Sequence, residues 1–505
     1  MLRKVILKDI LLCLSSAILL ALSFSRSGLW LLAWFAFLPV FFALNNKTNK
    51  QAFLLFFVTG VLFWSGTIYW LVNVTWPGTI VLVFYLALYF AVFGLVIRPF
   101  TRRSTPYALI FIPSVWVLLE YIRGLLFTGF PWAILGYSQY LNLPAIQITD
   151  ITGAWGVSFL VMMVNAAIVE AVWAFKNGLR RRFKIAVISP ALVLLSVLSY
   201  GYISLSGAPR VCAGGEPLRI SVIQGNIPQQ LKWSRGSRDI IMDTYFAISM
   251  QALKDKPDLV IWPEAALPVV LQEEPVYYER AREFIISGKT PFLLGAATLR
   301  GGNYYNSALL VPADGKPPAR YDKLHLVPFG EYIPLRKALT FLETIVPIGD
   351  FSRGSEYTVF SLPSGRIGGY DKFSVLICFE DLFPGLSREF VKKGASFLVN
   401  ITNDAWFGRS SSPYQHLSAS VFRAVENRVF LVRSANTGVS AFISPSGRII
   451  SSVRDRNGDT IFISGYNTGE IIPSARKNGF YTRYGDIFVV ICIFLAGIGI
   501  FLEKR

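Results

Sequence analysis

A short strand-like segment ends in a cysteine at residues 374–381, which read SVLICFED. Apolar residues run directly into Cys378, and an aromatic residue and two carboxylates follow it at once. A buried strand that ends in a thiol places the sulfur at the edge of a sheet, where the backbone turns away and a substrate can approach. The segment therefore predicts a nucleophilic cysteine. The alternative is an inert core cysteine, which is the commoner fate of a single thiol.

The overall composition is typical of a membrane protein. Of the 505 residues, 53% are hydrophobic and 15% are aromatic, which is more apolar sequence than a soluble core of that size needs to bury. The formal net charge is +18. Because the basic residues form short clusters between apolar runs, orientation in a bilayer explains this charge better than binding to nucleic acid.

The cysteines and histidines indicate no metal site. The chain has four cysteines and two histidines, and their spacing matches neither a zinc site nor a disulfide framework. Cys13 and Cys492 lie inside apolar runs, which leaves Cys212 and Cys378 as a possible pair. We expect neither a metal nor a cofactor.

Eight apolar stretches predict transmembrane helices, since a span needs roughly 20 apolar residues. A cleaved signal peptide is the alternative for the first stretch, but no clear small-residue cleavage site follows it, which favours a retained helix. The stretches are residues 10–24, 28–44, 52–74, 79–97, 107–127, 154–175, 185–205 and 486–502.

Loop charge predicts the orientation of these spans. With a cytoplasmic N-terminus, the short outer loops carry only Arg26 and Arg123, as the positive-inside rule requires. The inner segments carry Arg3, Lys4, Lys8, Lys47, Lys50, Arg98, Arg102, Arg103, Lys176, Arg180, Arg181, Arg182, Lys184, Lys504 and Arg505. The prediction is that residues 1–206 hold helices one to seven, residues 207–484 form an extracytoplasmic domain, and residues 485–505 form helix eight and a cytoplasmic tail.

The predicted outer domain alternates strand-like and helix-compatible segments, which argues for an α/β fold. At roughly 280 residues it is long enough to build one full core. Helices are predicted at residues 239–255 and 277–287. Strands are predicted at residues 218–223, 259–262, 292–296, 307–311, 375–378, 396–401, 430–434 and 439–443.

Three segments of this domain place a polar group at or near the end of an apolar run. They end in Glu264, after Trp-Pro, in Lys323, within a loop punctuated by proline and glycine, and in Cys378. Singly, Glu264 reads equally as a helix-start carboxylate, and Lys323 as a solvated loop charge. Together they supply a base, a cation and a thiol, a set that performs nucleophilic acyl transfer.

The order of these motifs resembles the nitrilase superfamily. Trp-Pro-Glu at 262–264 precedes Tyr-Asp-Lys at 321–323, Pro-Phe-Gly-Glu at 328–331 and Ile-Cys-Phe-Glu at 377–380. Three further motifs strengthen the match, namely residues 400–408, 423–428 and 434–438. The resemblance implies an αββα sandwich with a Glu-Lys-Cys triad. It assigns Glu264 as general base and acid, Lys323 as the cation at the oxyanion, and Cys378 as the acyl carrier.

The chain as a whole resembles the apolipoprotein N-acyltransferase family. Two features carry this resemblance: the nitrilase-like domain lies between the seventh and eighth predicted helices, and residues 222–229 read VIQGNIPQ. The resemblance implies transfer of an acyl chain from a membrane phospholipid, through a Cys378 thioester, to the N-terminal amine of S-diacylglyceryl-cysteine lipoproteins. It places the protein in the bacterial inner membrane as a monomer, with the catalytic domain in the periplasm. The implied partners are the phospholipid, the diacylglyceryl apolipoprotein and the bilayer, without nucleic acid.

The same resemblance assigns supporting residues. Glu331 and Glu380 match positions that support the triad, and Trp233, Phe379 and Trp406 match positions that contact substrate. Phe379 stands where a tyrosine is expected, so any hydrogen bond from that hydroxyl is missing in this chain.

Two other functions compete with acyl transfer. A membrane-tethered carbon-nitrogen hydrolase would use the same triad with water as acceptor, but it would not need eight helices. A membrane scaffold without activity is the second alternative, and the presence of Glu264, Lys323 and Cys378 argues against it.

Overall fold

The computed structural model describes residues 2–103, 106–211, 217–328, 330–332, 351–362, 372–474 and 479–503. The chain forms two compact units, which we call the helical unit (Met1–Ser206 and Tyr484–Arg505) and the sandwich unit (Gly207–Arg483). Cys378 is a free thiol, and Cys212, its possible disulfide partner, lies outside the described residues.

The helices differ widely in length, from single turns to long apolar rods. In chain order they are α1 (Leu2–Ser23), α2 (Leu38–Ala43), α3 (Asn49–Thr67), α4 (Trp76–Arg103), α5 (Ala108–Arg123), α6 (Leu143–Ile146), α7 (Thr149–Thr152), α8 (Ala154–Lys176), α9 (Arg180–Val211), α10 (Arg238–Leu253), α11 (Pro275–Gly288), α12 (Pro384–Lys392), α13 (Ser412–Asn427), α14 (Phe480–Tyr484) and α15 (Ile487–Glu503).

All strands lie in the sandwich unit. They are β1 (Leu218–Gln224), β2 (Leu259–Ile261), β3 (Phe292–Arg300), β4 (Asn303–Val311), β5 (Ala319–Asp322), β6 (Phe360–Ser361), β7 (Lys372–Ile377), β8 (Phe397–Thr402), β9 (Phe430–Ala435), β10 (Ala441–Ile443), β11 (Ile449–Ser452) and β12 (Gly465–Ile471). Each strand predicted from the sequence coincides with one of these.

Within the described residues, three helices are long and apolar enough to cross a membrane, at Trp76–Pro99, Ala154–Lys176 and Arg180–Gly207. Shorter apolar helices lie at Trp30–Ala43 and Ile487–Phe501. The outer surface of α9 is apolar and open, with Leu195 62% and Ile203 71% exposed. Eight spans therefore stay a prediction, but a helix with this surface needs a nonpolar environment around it.

The predicted span at residues 28–44 is not one continuous helix. A 3-10 helix at Trp30–Trp34 is followed, after a break, by α2. Asn165 of α8 explains the break, because its side chain accepts from the Phe37 N–H at 3.0 Å and donates to the Ala33 carbonyl at 3.0 Å. A buried backbone group that leaves a helix must find another partner, and Asn165 supplies two.

The sandwich unit contains two six-stranded sheets, with strand orders β12-β1-β2-β3-β4-β5 and β11-β10-β9-β8-β7-β6. The sheets face each other: the hydroxyl of Ser434 in β9 lies 3.0 Å from the Ile223 carbonyl oxygen and 3.1 Å from that of Ile261. Helix α10 packs on the first sheet, and α12 and α13 pack on the second. This arrangement confirms the predicted α/β fold.

The strand directions decide where the polar groups meet. β1, β2 and β3 run parallel, as do β7, β8 and β9. β5 runs parallel to β3, because each is antiparallel to β4. Carboxyl ends of parallel strands share one edge of a sheet. The residues that follow β2 and β5 therefore share one edge of the first sheet, and Cys378 follows the carboxyl end of β7 in the second sheet.

Gly295 in β3 makes room for the chain that leaves β2. A Cβ at this position would lie 2.3 Å from the Pro263 carbonyl oxygen and 2.7 Å from the Cα of Glu264. Both neighbours are backbone atoms, so the turn after β2 would have to shift.

Gly295→Ala is therefore expected to lower the stability of the sandwich unit, by the about 1–3 kcal/mol typical of overpacking. The measurement is the thermal unfolding midpoint of the full chain in detergent. Gly385→Ala is the matched control, because a Cβ there meets nothing within 4 Å, and its midpoint should not fall. Equal midpoints for the two variants would contradict the close approach.

Candidate active site

Glu264 follows β2 after Trp262 and Pro263 and is 7% exposed. Asn306 in β4 donates one amide hydrogen to Glu264 Oε1 at 2.8 Å and the other to Glu331 Oε1 at 2.7 Å. The two carboxylates are thus held side by side by a single amide group. The hydrogen bond from Asn306 fixes Glu264 Oε1, which is the oxygen that faces the Lys323 ammonium.

Lys323 directly follows β5, and its ammonium is almost fully buried. Its Nζ lies 2.9 Å from Glu331 and 3.6 Å from Glu264 Oε1. Burial lowers the pKa of Lys323, but the carboxylates of Glu331 and Glu264 outweigh it, so that the pKa lies above its usual value. Lys323 therefore stays charged at physiological pH.

Cys378 is the first residue after β7 and begins a 3-10 helix that runs to Leu382. Its φ of 52° is in the left-handed region, which residues with a side chain seldom adopt. Burial and then the Glu264 carboxylate raise the pKa of the Cys378 thiol, while Lys323 lowers it. Burial therefore favours the protonated thiol, while the Lys323 ammonium favours the thiolate.

Glu380 connects the segment of Lys323 to the segment of Cys378. Its Oε1 accepts from Leu324 N at 2.6 Å and His325 N at 3.0 Å, and its Oε2 accepts from Ile377 N at 2.7 Å. The Tyr321 hydroxyl donates to the same carboxylate. Burial raises the pKa of Glu380 to about 7, against these donors. Glu380 therefore holds the two strand ends in register.

The aromatic residues expected to contact substrate are more exposed than Glu264 and Lys323. Phe379 is half-buried and packs against His325 and Phe383. Trp406 is 43% exposed, and Trp233 is half-buried in the loop after β1. Among the described residues, neither tryptophan forms a hydrogen bond with Glu264, Lys323 or Cys378.

Two residues near the triad were not predicted from the sequence. Asn306 bridges Glu264 and Glu331. Lys232 is 2% exposed, and its Nζ donates to the carbonyl oxygen of Glu264 at 2.9 Å. The available signals were that Asn306 directly precedes the strand predicted at residues 307–311 and that Lys232 is the neighbour of Trp233.

A buried network behind Cys378 was also missed. His416 Nε2 lies 2.8 Å from Asp381 Oδ1, and its Nδ1 lies 3.0 Å from Asp404 Oδ1. Arg433 donates to the second oxygen of each aspartate, at 3.1 and 3.2 Å. All four side chains are at most 1% exposed. The available signal was Arg433, since a charge inside a predicted strand must find a partner.

This network fixes the backbone of Cys378. The carbonyl oxygen of Cys378 lies 3.3 Å from His416 Nε2 and accepts from Asn400 Nδ2 at 3.1 Å. Arg433 in turn donates to Asn400 Oδ1 at 2.7 Å. The Cys378 backbone is therefore fixed by the same groups that satisfy the buried charges.

The charge of His416 gives the fold a defined pH dependence. Burial and Arg433 lower the pKa of His416, but Asp381 and Asp404 raise it further, to about 9. A histidine in an unfolded chain has a pKa of about 6.5. The stability that the imidazolium contributes is thus fully present below about pH 6.5 and is lost as the pH rises toward about 9.

His416→Gln should remove this part of the pH dependence, because an amide does not titrate. The measurement is the thermal unfolding midpoint of the full chain between pH 6 and 9.5. The wild-type midpoint should fall more steeply than that of the variant between pH 6.5 and 9. Parallel curves for the two proteins would show that the fold does not raise the pKa of His416.

Comparisons with known proteins found one family match in the helical unit and one in the sandwich unit. Residues 16–167 match the family model described as apolipoprotein N-acyltransferase N-terminal domain, and residues 219–472 match the one described as carbon-nitrogen hydrolase. Among solved structures, an amidase from Nesterenkonia sp. aligns with a TM-score of 0.40 and 17% identity, over 55% of this chain and 97% of that chain.

Curated relatives match nearly the full chain. The apolipoprotein N-acyltransferase of Geobacter metallireducens is 42% identical over 504 residues, which cover 96% of this chain and 93% of that protein. The one from Methylococcus capsulatus is 32% identical over 88% of each chain. The chain therefore belongs to the apolipoprotein N-acyltransferase family.

Proposed function

We propose that this protein transfers an acyl chain from a membrane phospholipid to the N-terminal amine of diacylglyceryl apolipoproteins, with Cys378 as the intermediate carrier. The observation that carries the proposal is the similarity to apolipoprotein N-acyltransferases over 96% of the chain, which includes both units. The ammonium of Lys323, after β5, lies 3.6 Å from Glu264, after β2, and Cys378 directly follows β7, which supports the proposal.

In the first half-reaction, the Glu264 carboxylate takes the thiol proton as the Cys378 sulfur attacks the ester carbonyl of the phospholipid. The negative charge moves to the carbonyl oxygen, where the ammonium of Lys323 stabilises it. The ester C–O bond then breaks, and Glu264 returns the proton to the leaving glycerol oxygen. The products are a Cys378 thioester and a lysophospholipid.

In the second half-reaction, the α-amine of the lipoprotein attacks the thioester. Glu264 takes a proton from the attacking nitrogen and returns it to the departing Cys378 sulfur. An amide forms and the free thiol is restored. Formation of an amide from a thioester is downhill, so the two half-reactions need no nucleotide.

The remaining residues fit supporting roles in this scheme. Glu331 keeps Lys323 in place, at 2.9 Å, and Glu380 keeps the two strand ends in register. We assign Trp233, Phe379 and Trp406 to substrate contact. The protein works as a monomer in this proposal.

The helical unit fits delivery of lipid substrates. The exposed apolar surface of α9 and the loop charges favour a multi-pass arrangement with eight spans, residues 207–484 in the periplasm and the C-terminal tail in the cytoplasm. Both substrates would then reach the site from the bilayer. A carbon-nitrogen hydrolase is the second candidate, favoured by the match of residues 219–472, and the acceptor of the acyl group separates the two.

The thioester is the first test. Purified protein incubated with phospholipid should gain the mass of one acyl chain at Cys378 and release an equal amount of lysophospholipid. The adduct should disappear when a diacylglyceryl lipopeptide is added, with formation of the N-acylated peptide. Cys378→Ala should gain no mass, and Glu264→Gln should form the adduct slower by roughly 10² to 10⁴, the usual contribution of acid-base catalysis.

Two results would count against this function. Release of free fatty acid at the same rate with and without lipopeptide would favour the hydrolase. Transfer to the peptide without any adduct on Cys378 in a single turnover would indicate direct transfer in a ternary complex.

Topology is the second test. In a background without Cys212 and Cys378, Lys254→Cys on the sandwich unit should react with a membrane-impermeant thiol reagent in intact spheroplasts. Arg181→Cys, at the start of α9, is the matched position, and it should react only after the membrane is permeabilised. Both side chains are exposed in the structure. The opposite labelling pattern would overturn the orientation.

A further inference from the structure

Lys232 is a buried lysine that the mechanism above does not use. It lies in the loop after β1, is 2% exposed, and donates from Nζ to the Glu264 carbonyl oxygen at 2.9 Å. Within the described residues, that carbonyl is the only hydrogen-bond partner of its Nζ, and no carboxylate lies within 4.0 Å of it. The other two ammonium hydrogens have no hydrogen-bond partner among the described residues.

The loop that carries Lys232 is held firmly. The Asn436 side chain accepts from Ile227 N at 2.9 Å and donates to Ile227 O at 2.8 Å. Asn403 donates to the side chain of Gln229 at 2.7 Å. Asn403 and Asn436 follow β8 and β9, so the second sheet holds this loop, which leaves β1 of the first sheet. The position of Lys232 is therefore defined by the fold.

The site needs a second positive charge. Lys323 faces two carboxylates, Glu331 at 2.9 Å and Glu264 at 3.6 Å. Without another cation, this group carries an excess negative charge, which opposes a thiolate or an oxyanion beside it. Placing an ammonium in a buried site without a paired carboxylate is costly, and such groups are concentrated at functional sites.

A charged Lys232 and a Cys378 thiolate stabilise each other. Burial lowers the pKa of Lys232 to about 8, while the charges of Glu264 and the Cys378 thiolate raise it. The interaction between two charges acts equally on both. A charged Lys232 therefore favours the thiolate form of Cys378.

We propose that Lys232 is a positioning residue that acts as the second cation of this active site: it holds the Glu264 backbone, offsets the second carboxylate, and stabilises negative charge at the Cys378 sulfur. The contribution to acyl transfer rests on the proposed function. The effect on the thiol does not, because it depends only on the charges around Cys378.

The test compares Lys232→Met, which keeps the length of the side chain without its charge, with Lys232→Arg, which keeps the charge. Lys254→Met, at an exposed position, is the control. The first measurement is the rate of alkylation of Cys378 by iodoacetamide as a function of pH, read by peptide mass spectrometry. Cys378 also faces Glu264, Lys323 and Asp404, which all the variants retain.

Lys232→Met should shift the alkylation profile to higher pH by about one unit, equivalent to a tenfold smaller thiolate fraction at a given pH. Lys232→Arg should shift it less, and Lys254→Met should leave it unchanged. In single-turnover acylation with phospholipid, Lys232→Met should be slower by roughly 10- to 100-fold, at the low end of what removing an oxyanion donor costs.

An unchanged alkylation profile in Lys232→Met would overturn the proposal, even if acylation were slow, because a purely structural role of the Glu264 hydrogen bond would give that result. If wild-type protein forms no acyl adduct but the alkylation profile still shifts, the proposed function fails and the role of Lys232 stands.

Discussion

Burial of the Lys323 ammonium is the constraint on which the site depends. A charge removed from water is costly unless it is paired and its donors are satisfied. Here Glu331, at 2.9 Å, and Glu264, at 3.6 Å, meet this need, and Asn306 holds the two carboxylates together. Glu264 follows β2, Asn306 lies in β4 and Lys323 follows β5. The strand order β2-β3-β4-β5 therefore brings these three residues together and allows the charge to be buried.

The second sheet also buries charged side chains, but there the positive and negative charges are equal in number. Asp381, Asp404, His416 and Arg433 form a closed set in which two positive and two negative charges cancel. Gly438 is needed for this packing, since a Cβ there would lie 1.9 Å from Asp404 Oδ2. The charges of this network cancel within it, whereas Lys323 faces two carboxylates and the group around Glu264 depends on a further cation, the role proposed for Lys232.

The sequence predicts the features of this protein that depend on neighbouring residues. Apolar runs located the strands, and the residues after them included Glu264, Lys323 and Cys378, because a strand and its end are local properties. The features that were missed depend on distant partners. The helix break after Trp34 requires Asn165, and Arg433 in β9 is explained only by Asp381 and Asp404. Apolar length alone also predicted a continuous helix at residues 28–44 where the chain bends around that asparagine.

The way Cys378 is held suits a residue that changes its covalent state. Its carbonyl is fixed by Asn400 and His416, and the preceding N–H, that of Ile377, is fixed by Glu380. All of these contacts are made to backbone atoms, and none requires the sulfur. In the proposed mechanism the side chain would pass from thiol to thioester and back while the backbone stays in place. Glu380 also holds the segment after Lys323, so the cation would keep its position relative to the sulfur in both proposed half-reactions, as a site that serves an acyl donor and an acyl acceptor in turn requires.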